Sequence, residues 1–331
     1  MTPSRSVRSV IRPIAVVCLI ASGMASCSLV QRITAPKRRV FVSNYQDDTV
    51  SVIDDETGKE IKVIPVGDSP FGLAVRSEPP LLAVANSSGT HVTLIDPVRL
   101  EILRTIEVGE IPEHLVFSVD GKLLFVSRPK AHVVEIVDVD AARVVGTIDL
   151  GLKPKRLAVS PDGHRLYVLL NVQDGAVAVV DIASRAVIAK VPVGAFPNDF
   201  GITRDGRRIV AASFNDDTVT VVDTETLKPI ATHEVDTGVG IVVHPTQPIV
   251  YSMATFDDVV HVLNYETGRP VAEITTGTWP TYSAITADGR FLWVVDENSN
   301  NVAKVDTETN ESVERIGVGL DPQNAAVLEI R

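Results

Sequence analysis

This 331-residue sequence predicts an all-β fold of seven equal units, and three observations carry that expectation. A hydrophobic–Gly step, or a close variant of it, recurs at Val66-Gly67, Val108-Gly109, Leu150-Gly151, Val193-Gly194, Val235-Asp236, Thr276-Gly277 and Val318-Gly319, at intervals of 42, 42, 43, 42, 41 and 42 residues. Each interval holds four short β-branched runs separated by Gly, Pro, Asp and Asn turns, the signal of strands and hairpins. A period in the low forties filled with four strands is the mark of a propeller blade. The expected architecture is a seven-bladed β-propeller with four antiparallel strands per blade, over residues 39–331.

The fourth unit shows the elements in order. Lys155 to Ser160 reads as a first strand, ended by Pro161-Asp162-Gly163; Arg165 to Leu170 is the second, Ala176 to Asp181 the third and Arg185 to Val191 the fourth. Asp-Gly pairs recur in the first turn at 120–121, 162–163, 205–206 and 288–289, where Gly supplies the positive φ of a tight hairpin. The chain begins on a second-type strand, Val40 to Asn44, and ends on a first-type strand, Gln323 to Ile330. The last segment is therefore expected to pair with residues 40–44, completing the first blade and closing the ring without an exposed edge.

Two stretches carry a family resemblance. Phe41-Val42-Ser43-Asn44, Thr49 to Asp54 and Ile64-Pro65-Val66-Gly67, like Val191-Pro192-Val193-Gly194 with Thr218 to Thr224, resemble YVTN-type propeller repeats. The resemblance covers residues 39–331. It implies the fold and leaves activity open.

The N-terminus reads as a targeting segment. Arg5, Arg8 and Arg12 precede an apolar run, Ile14 to Ile20, too short to span a bilayer. Met24-Ala25-Ser26-Cys27 follows and resembles a bacterial lipobox, with Met24 where Leu is usual. The resemblance implies a signal peptide over residues 1–26 and, over 27–38, the lipidated Cys27 followed by a tether of residues 28–38. The protein would then be exported and anchored by its lipid to the cell envelope, on the periplasmic face, with Ser28 favouring the outer membrane. An ordinary secretory signal cleaved near Ala25 or Ser26 is the alternative. Eleven tether residues reach at most about 36 Å, which keeps the body near the membrane.

Composition excludes several functions. The net charge is -11, and loss of the three leader arginines makes the body more acidic still; phosphate backbones are repelled, so nucleic acid is not an expected partner. The cysteines are Cys18, inside the leader, and Cys27. Neither a disulfide framework nor thiol catalysis is expected in the body. No zinc, calcium, haem or phosphate-loop motif is present, so no cofactor is evident. His91, His132 and His261 fall on third strands at different registers, His164 in a turn, His233 on an outer strand and His244 low in the channel; each reads as structural. The acidic turns 54–58 and 223–226 read as solvated hairpins. The body is expected to be monomeric.

A site is expected where the units differ. Counting two residues on from the start of each first strand (Pro70, Pro112, Pro154, Pro197, Gly238, Pro280, Pro322) gives Gly72, His114, Arg156, Asp199, Gly240, Tyr282 and Asn324. Strand alternation points this ring at the channel mouth, with small residues such as Ala74, Ala158 and Gly201 two positions deeper. Glu113, Lys155, Asn198 and Trp279 flank it, and Arg128 and Asp296 close second strands nearby, beside Asn44 and Asn86. A mixed-charge funnel suits a small polar ligand or a protein partner. The main expectation is thus a non-catalytic binding or scaffolding propeller. Fold analogy with lactonases and streptogramin-type lyases offers an enzyme instead, with His114 as general base, Arg156 as oxyanion or carboxylate partner and Asp199 or Glu113 as orienting acid. An accessory role beside periplasmic quinoprotein or haem systems is a third possibility.

Overall fold

The computed structural model describes residues 37–236 and 238–330; the segment read as a signal peptide, Cys27 and all but the end of the segment read as a tether lie outside the described residues. Seven four-stranded antiparallel sheets make up the body. The second blade is typical, with strands Pro70–Ser77, Pro80–Asn86, His91–Asp96 and Glu101–Glu107. Blades three to seven span 115–149, 154–194, 197–234, 241–275 and 280–317. The first blade is composite: Pro322–Ile330 supplies its first strand, and residues 37–65 supply the other three. The only helical element among the described residues is one 3-10 turn, Glu297–Ser299.

Successive first strands touch around the ring until Pro322–Ile330 meets Pro70–Ser77. Each is an edge strand, paired on one side only, so seven free edges face a common axis. Burial follows from this radial layout. Second strands are enclosed on both faces; Leu82, Ala83, Val84 and Ala85 are all fully buried. Fourth strands lie where the wedges diverge, and most of their residues are exposed. The few aromatics sit where volume is most needed: Phe41, Phe125, Tyr167, Tyr251 and Trp293 all stand on second strands and are buried. The four Asp-Gly turns are as expected, with Gly121, Gly163, Gly206 and Gly289 at φ of 68, 74, 72 and 77°.

Closure occurs as the strand order predicts. Val40 faces Val327, Phe41 faces Ala326 and Val42 faces Ala325 in an antiparallel ladder. That ladder starts at Lys37, so the first strand of the chain begins inside the segment read as tether, and the blade begins two residues before 39. The Arg38 guanidinium lies 2.8 Å from Asp288, 3.6 Å from Asp55 and 3.7 Å from Glu329. The turn 54–58 is not simply solvated. Asp55 is buried and pairs with Lys304 of the seventh blade at 2.8 Å, while the Lys304 ammonium also donates to the Asp55 carbonyl at 2.7 Å. That ammonium lies over the rings of Phe291 (4.4 Å) and Trp293 (5.1 Å). Apolar stacking and a charge clip therefore join the last blade to the first.

The ends of the second strands act as pegs between blades. Asn86 donates from Nδ2 to the His91 carbonyl and Thr93 hydroxyl, and accepts at Oδ1 from the Gly67 amide of the preceding blade. Asn44 donates to the hydroxyls of Thr49 and Ser51 on the third strand. Arg128 pairs with Glu135 on the third strand and donates from Nε to the Glu110 carbonyl at 3.1 Å. Asp296 is buried and accepts at 2.7 Å from the Thr276 hydroxyl, at the end of the previous blade. Arg128 and Asp296, expected near the mouth, make these contacts with the third strand and with the end of the preceding blade instead. Burial pushes the Asp296 carboxyl up to about 6, against the lowering effect of the Thr276 hydroxyl.

Three outcomes are expected. Deleting residues 322–331 should abolish cooperative folding or cause aggregation, read by thermal melts and light scattering; an unchanged melting temperature would overturn closure as the source of stability. Lys304→Met removes the nearer cation from the buried Asp55 carboxylate, leaving it Arg38 at 3.6 Å, and should cost up to about 3 kcal/mol by chemical denaturation, with Asp55→Asn added in cis restoring part of the loss. Asp296 holds its proton more tightly in the folded chain than in the unfolded one, whose value is near 3.8. Its stabilising contribution is therefore complete below that value and lost as pH rises through about 6. Relative to Asp296→Asn, the wild type should lose on the order of 3 kcal/mol between pH ~4 and ~7; parallel stability–pH curves would sink the assignment.

Candidate functional site

The ring of exceptions does converge, and an irregularity in the first strands explains how. In the second blade Pro70 faces Asn86 and Leu73 faces Val84, so the strand carries one extra residue between them. Similar bulges follow Pro154, Pro197 and Pro280, and another lies where Asn324 and Pro322 pair with Ser43 and Asn44. A bulge adds twist and re-aims the side chains beside it. Here it turns residues from separate blades toward the axis just below the connections that enter the first strands.

The result is a packed layer rather than an open, solvated mouth. His114, Asp199, Tyr282 and Asn324 are each 1–2% exposed. Phe71, His114 and Tyr282 meet edge to face, with ring centroids 5.2, 5.7 and 5.8 Å apart. Arg156 stacks over Tyr282 at 5.8 Å and brings its Nε to 3.3 Å from Asp199 Oδ1. Asp199 is fixed further by the amides of Phe200 (2.8 Å) and Ile241 (3.1 Å). The two glycines of the ring are sites of close approach: a Cβ at Gly72 would fall 2.3 Å from the Glu113 carbonyl, and one at Gly240 would fall 2.4 Å from that of Thr281.

Burial sets the protonation states. It pushes the His114 imidazole well below its ordinary range, helped by the nearby charges of Arg156 and Lys155, so the ring is neutral at physiological pH. Burial raises the Asp199 carboxyl, opposed chiefly by Arg156, and lifts the Tyr282 phenol, helped by Asp199 and Glu113. Just above this layer, burial raises Glu113, opposed by Lys155 and Lys153. Lys155 is lowered by its own burial, opposed by Glu113 and Asp199. Its ammonium donates to Asn198 Oδ1 at 3.0 Å, which also accepts from Asn171 Nδ2 at 3.3 Å.

Three polar groups in the layer have bonding capacity to spare. His114 Nε2 and Asn324 Nδ2 are buried without a hydrogen-bond partner among the described residues; the nearest carboxylate oxygen to that imidazole, Glu113 Oε1, is 3.8 Å away. Arg156 uses Nε toward Asp199, and its side chain is 26% exposed. It lines a cavity of about 510 Å³ with Leu73, Ala74, Val116, Leu157 and the turn residues Ser77 and Ser118. All of these belong to three consecutive first strands and the turns that leave them. The cavity therefore follows the channel wall from the first-to-second-strand turns up to the guanidinium.

Of the sequence-predicted residues, His114, Arg156, Asp199 and Tyr282 thus share one cluster, with Asn324 buried at the same level of the ring and Glu113 and Lys155 beside it. Arg128 and Asp296 face the third strands and the preceding blade. Trp279 stands apart, edge-on to Phe256 at 4.9 Å. Sequence counting missed Phe71, because strict alternation places it off the axis and a bulge does not announce itself in residue types. Lys153 and Asn171 were likewise unmarked. His244 sits in a turn, where its Nδ1 accepts from the amides of Thr246 and Gln247; His233 bonds the Tyr265 carbonyl at 2.8 Å.

Comparison with solved structures finds the same fold in several settings. A structure titled Kuenenia stuttgartiensis hydrazine synthase aligns with a TM-score of 0.73 at 23% identity, covering 80% of this chain and 91% of that one. Dihydro-heme d1 dehydrogenase NirN in complex with DHE aligns at 0.68 and 16% identity, covering 87% and 74%. A functionally unknown protein from Desulfotomaculum acetoxidans aligns at 0.77 and 14% identity, covering 88% and 99%. No curated protein matches the chain. The YNCE-like beta-propeller family matches residues 6–247. With nearly three quarters of its length matched and seven closed blades behind the match, the chain belongs to the YNCE-like beta-propeller family.

Proposed function

We propose that this propeller is a binding module for a small anionic ligand, taken up along the channel and held at Arg156. The observation that carries this reading is the set of unspent polar groups in the axial layer: Arg156 beside a cavity, with His114 Nε2 and Asn324 Nδ2 buried and unpartnered. Unmade buried hydrogen bonds cost about 1–3 kcal/mol each, so a carboxylate guest that accepts from them would be favoured. Neutral His114 can donate from Nε2 without adding a buried charge. Binding is favoured over catalysis because the candidate base is 2% exposed and wedged edge to face between Phe71 and Tyr282. Among the described residues no hydroxyl is hydrogen-bonded to its imidazole; the Ser127 hydroxyl bonds only its backbone. In this reading Cys27 carries the lipid and keeps the ring at the extracytoplasmic face of the envelope, as an exported, membrane-tethered receptor or scaffold.

A second reading draws on the two neighbours named for hydrazine synthase and a dihydro-heme d1 dehydrogenase. It makes this chain an accessory protein of a periplasmic redox system. A haem-type absorbance band in protein purified from its native membrane would select it.

Two measurements test the main reading. Thermal-shift and calorimetric titration with a panel of small mono- and dicarboxylates should show saturable binding to the wild type. Arg156→Gln should weaken it by a factor of about 10–100, the worth of one charge-assisted hydrogen bond; equal affinity in the variant, or no binding by any carboxylate, would refute the site. For the anchor, Cys27→Ala should move the protein from the membrane fraction to the soluble one and end palmitate labelling, whereas continued membrane retention would reject it.

A further inference from the structure

A second feature lies away from the axis, on the face carrying the second-to-third-strand turns. Phe256 is 65% exposed there. It packs edge-on to Trp279 and lies 5.7 Å from Phe214. Exposing a phenyl to water is unfavourable, and this one belongs to a three-ring cluster built across three blades. Trp279 is held in place under strain: its φ is 61°, a conformation bulky residues rarely adopt. Its amide is clamped by Asp258 Oδ1 at 2.7 Å.

Carboxylates crowd the same place. Phe214, Phe256, Asp217, Asp236, Asp257 and Thr255 line a hollow of about 250 Å³. Oxygens of Asp236 and Asp257 and a nitrogen of His261 lie within 4.8 Å of one another. Neither carboxylate forms a salt bridge with a described residue. Aromatic faces beside uncompensated negative charge form a setting that attracts a guanidinium or ammonium group through cation–π and charge-assisted contacts. The hollow has room for one long basic side chain. Nucleic acid and a second copy of this acidic chain are both repelled by its charge.

We propose that this hollow docks an arginine or lysine side chain from a basic segment of a partner protein. Phe214 and Phe256 flank the cation's stem and head, and Asp236 and Asp257 pair with its charge. The surface is distinct from the axial cavity at Arg156, so either assignment can fail without the other.

The probe is the peptide Ac-GRGRGRG-NH2, titrated calorimetrically into the protein at about 50 mM salt, where exposed charges remain largely unscreened. Its citrulline counterpart serves as control. The wild type should bind the arginine peptide and not the citrulline one. Phe256→Ala and Asp257→Asn should each weaken binding by about five-fold or more, with melting temperatures unchanged because both side chains are exposed. Glu60→Gln, which removes a remote exposed charge, should leave affinity within about two-fold. Three results would overturn the proposal: Phe256→Ala binding like the wild type, Glu60→Gln weakening binding as much as Asp257→Asn, or no binding by the wild type. A manganese titration supplies the remaining arm. Saturable metal binding that is lost in Asp257→Asn but intact in Phe256→Ala, and that excludes the peptide, would make the carboxylates a cation site instead.

Discussion

The ladder between residues 37–44 and 322–330 is the contact on which the rest of the structure depends. A radial array of sheets has no reason to curve into a ring unless its two ends are joined, and here the join is made inside one blade by backbone hydrogen bonds. Once the ring is closed, each sheet is packed on both faces, and apolar clusters run from blade to blade instead of ending at a seam. The Lys304–Asp55 clip reinforces the same junction. Its ammonium is buried against Phe291 and Trp293, so the pair fixes one arrangement of two blades as much as it adds stability.

Closure also makes the axis a special environment. Seven edge strands converge, and small residues must line them where they approach: a Cβ at Gly201 would already fall 2.7 Å from Val243. Above that level the bulges let larger side chains cross the opening. Phe71, His114, Tyr282 and Arg156 fill it from four different blades, which gives a low-dielectric layer containing charged groups. In such a layer a neutral imidazole, an Arg–Asp pair and an unpartnered amide are strongly biased by whatever completes their hydrogen bonds. The packing that stabilises the ring thereby also leaves buried polar groups at its centre with hydrogen bonds unmade.

The face with the second-to-third-strand turns follows a different logic. Acidic turn residues reach across to neighbouring loops. Asp47 accepts from Leu320 and Asp48 from Ser69, while Asp216 accepts from Ala195 and Asp258 from Trp279. Asp47 and Asp48 thus hold the loops on either side of their hairpin, and Ser69 and Trp279, bonded in this way, both sit at positive φ. Where the device is incomplete, at Asp236 and Asp257, the negative charge is left facing solvent beside the aromatic cluster.

The sequence by itself determined the blade count, the strand order and the composite first blade. The reason is that a blade is a local object: its hairpins depend on alternation and on turn residues such as Asp162-Gly163, all within about forty positions. It also marked out His114, Arg156, Asp199, Tyr282 and Asn324, because departures from a repeat are visible wherever the repeat is strong. Tertiary structure alone decided what those residues face. Alternation pointed them at an open mouth, but the bulges and the convergence of seven strands buried them in a packed layer with Phe71. It also decided that Arg128 and Asp296 would serve as pegs and that Asp55 would meet Lys304, because those partners lie in other strands or blades. Distances between blades depend on how the ring closes, and no count along one blade contains them.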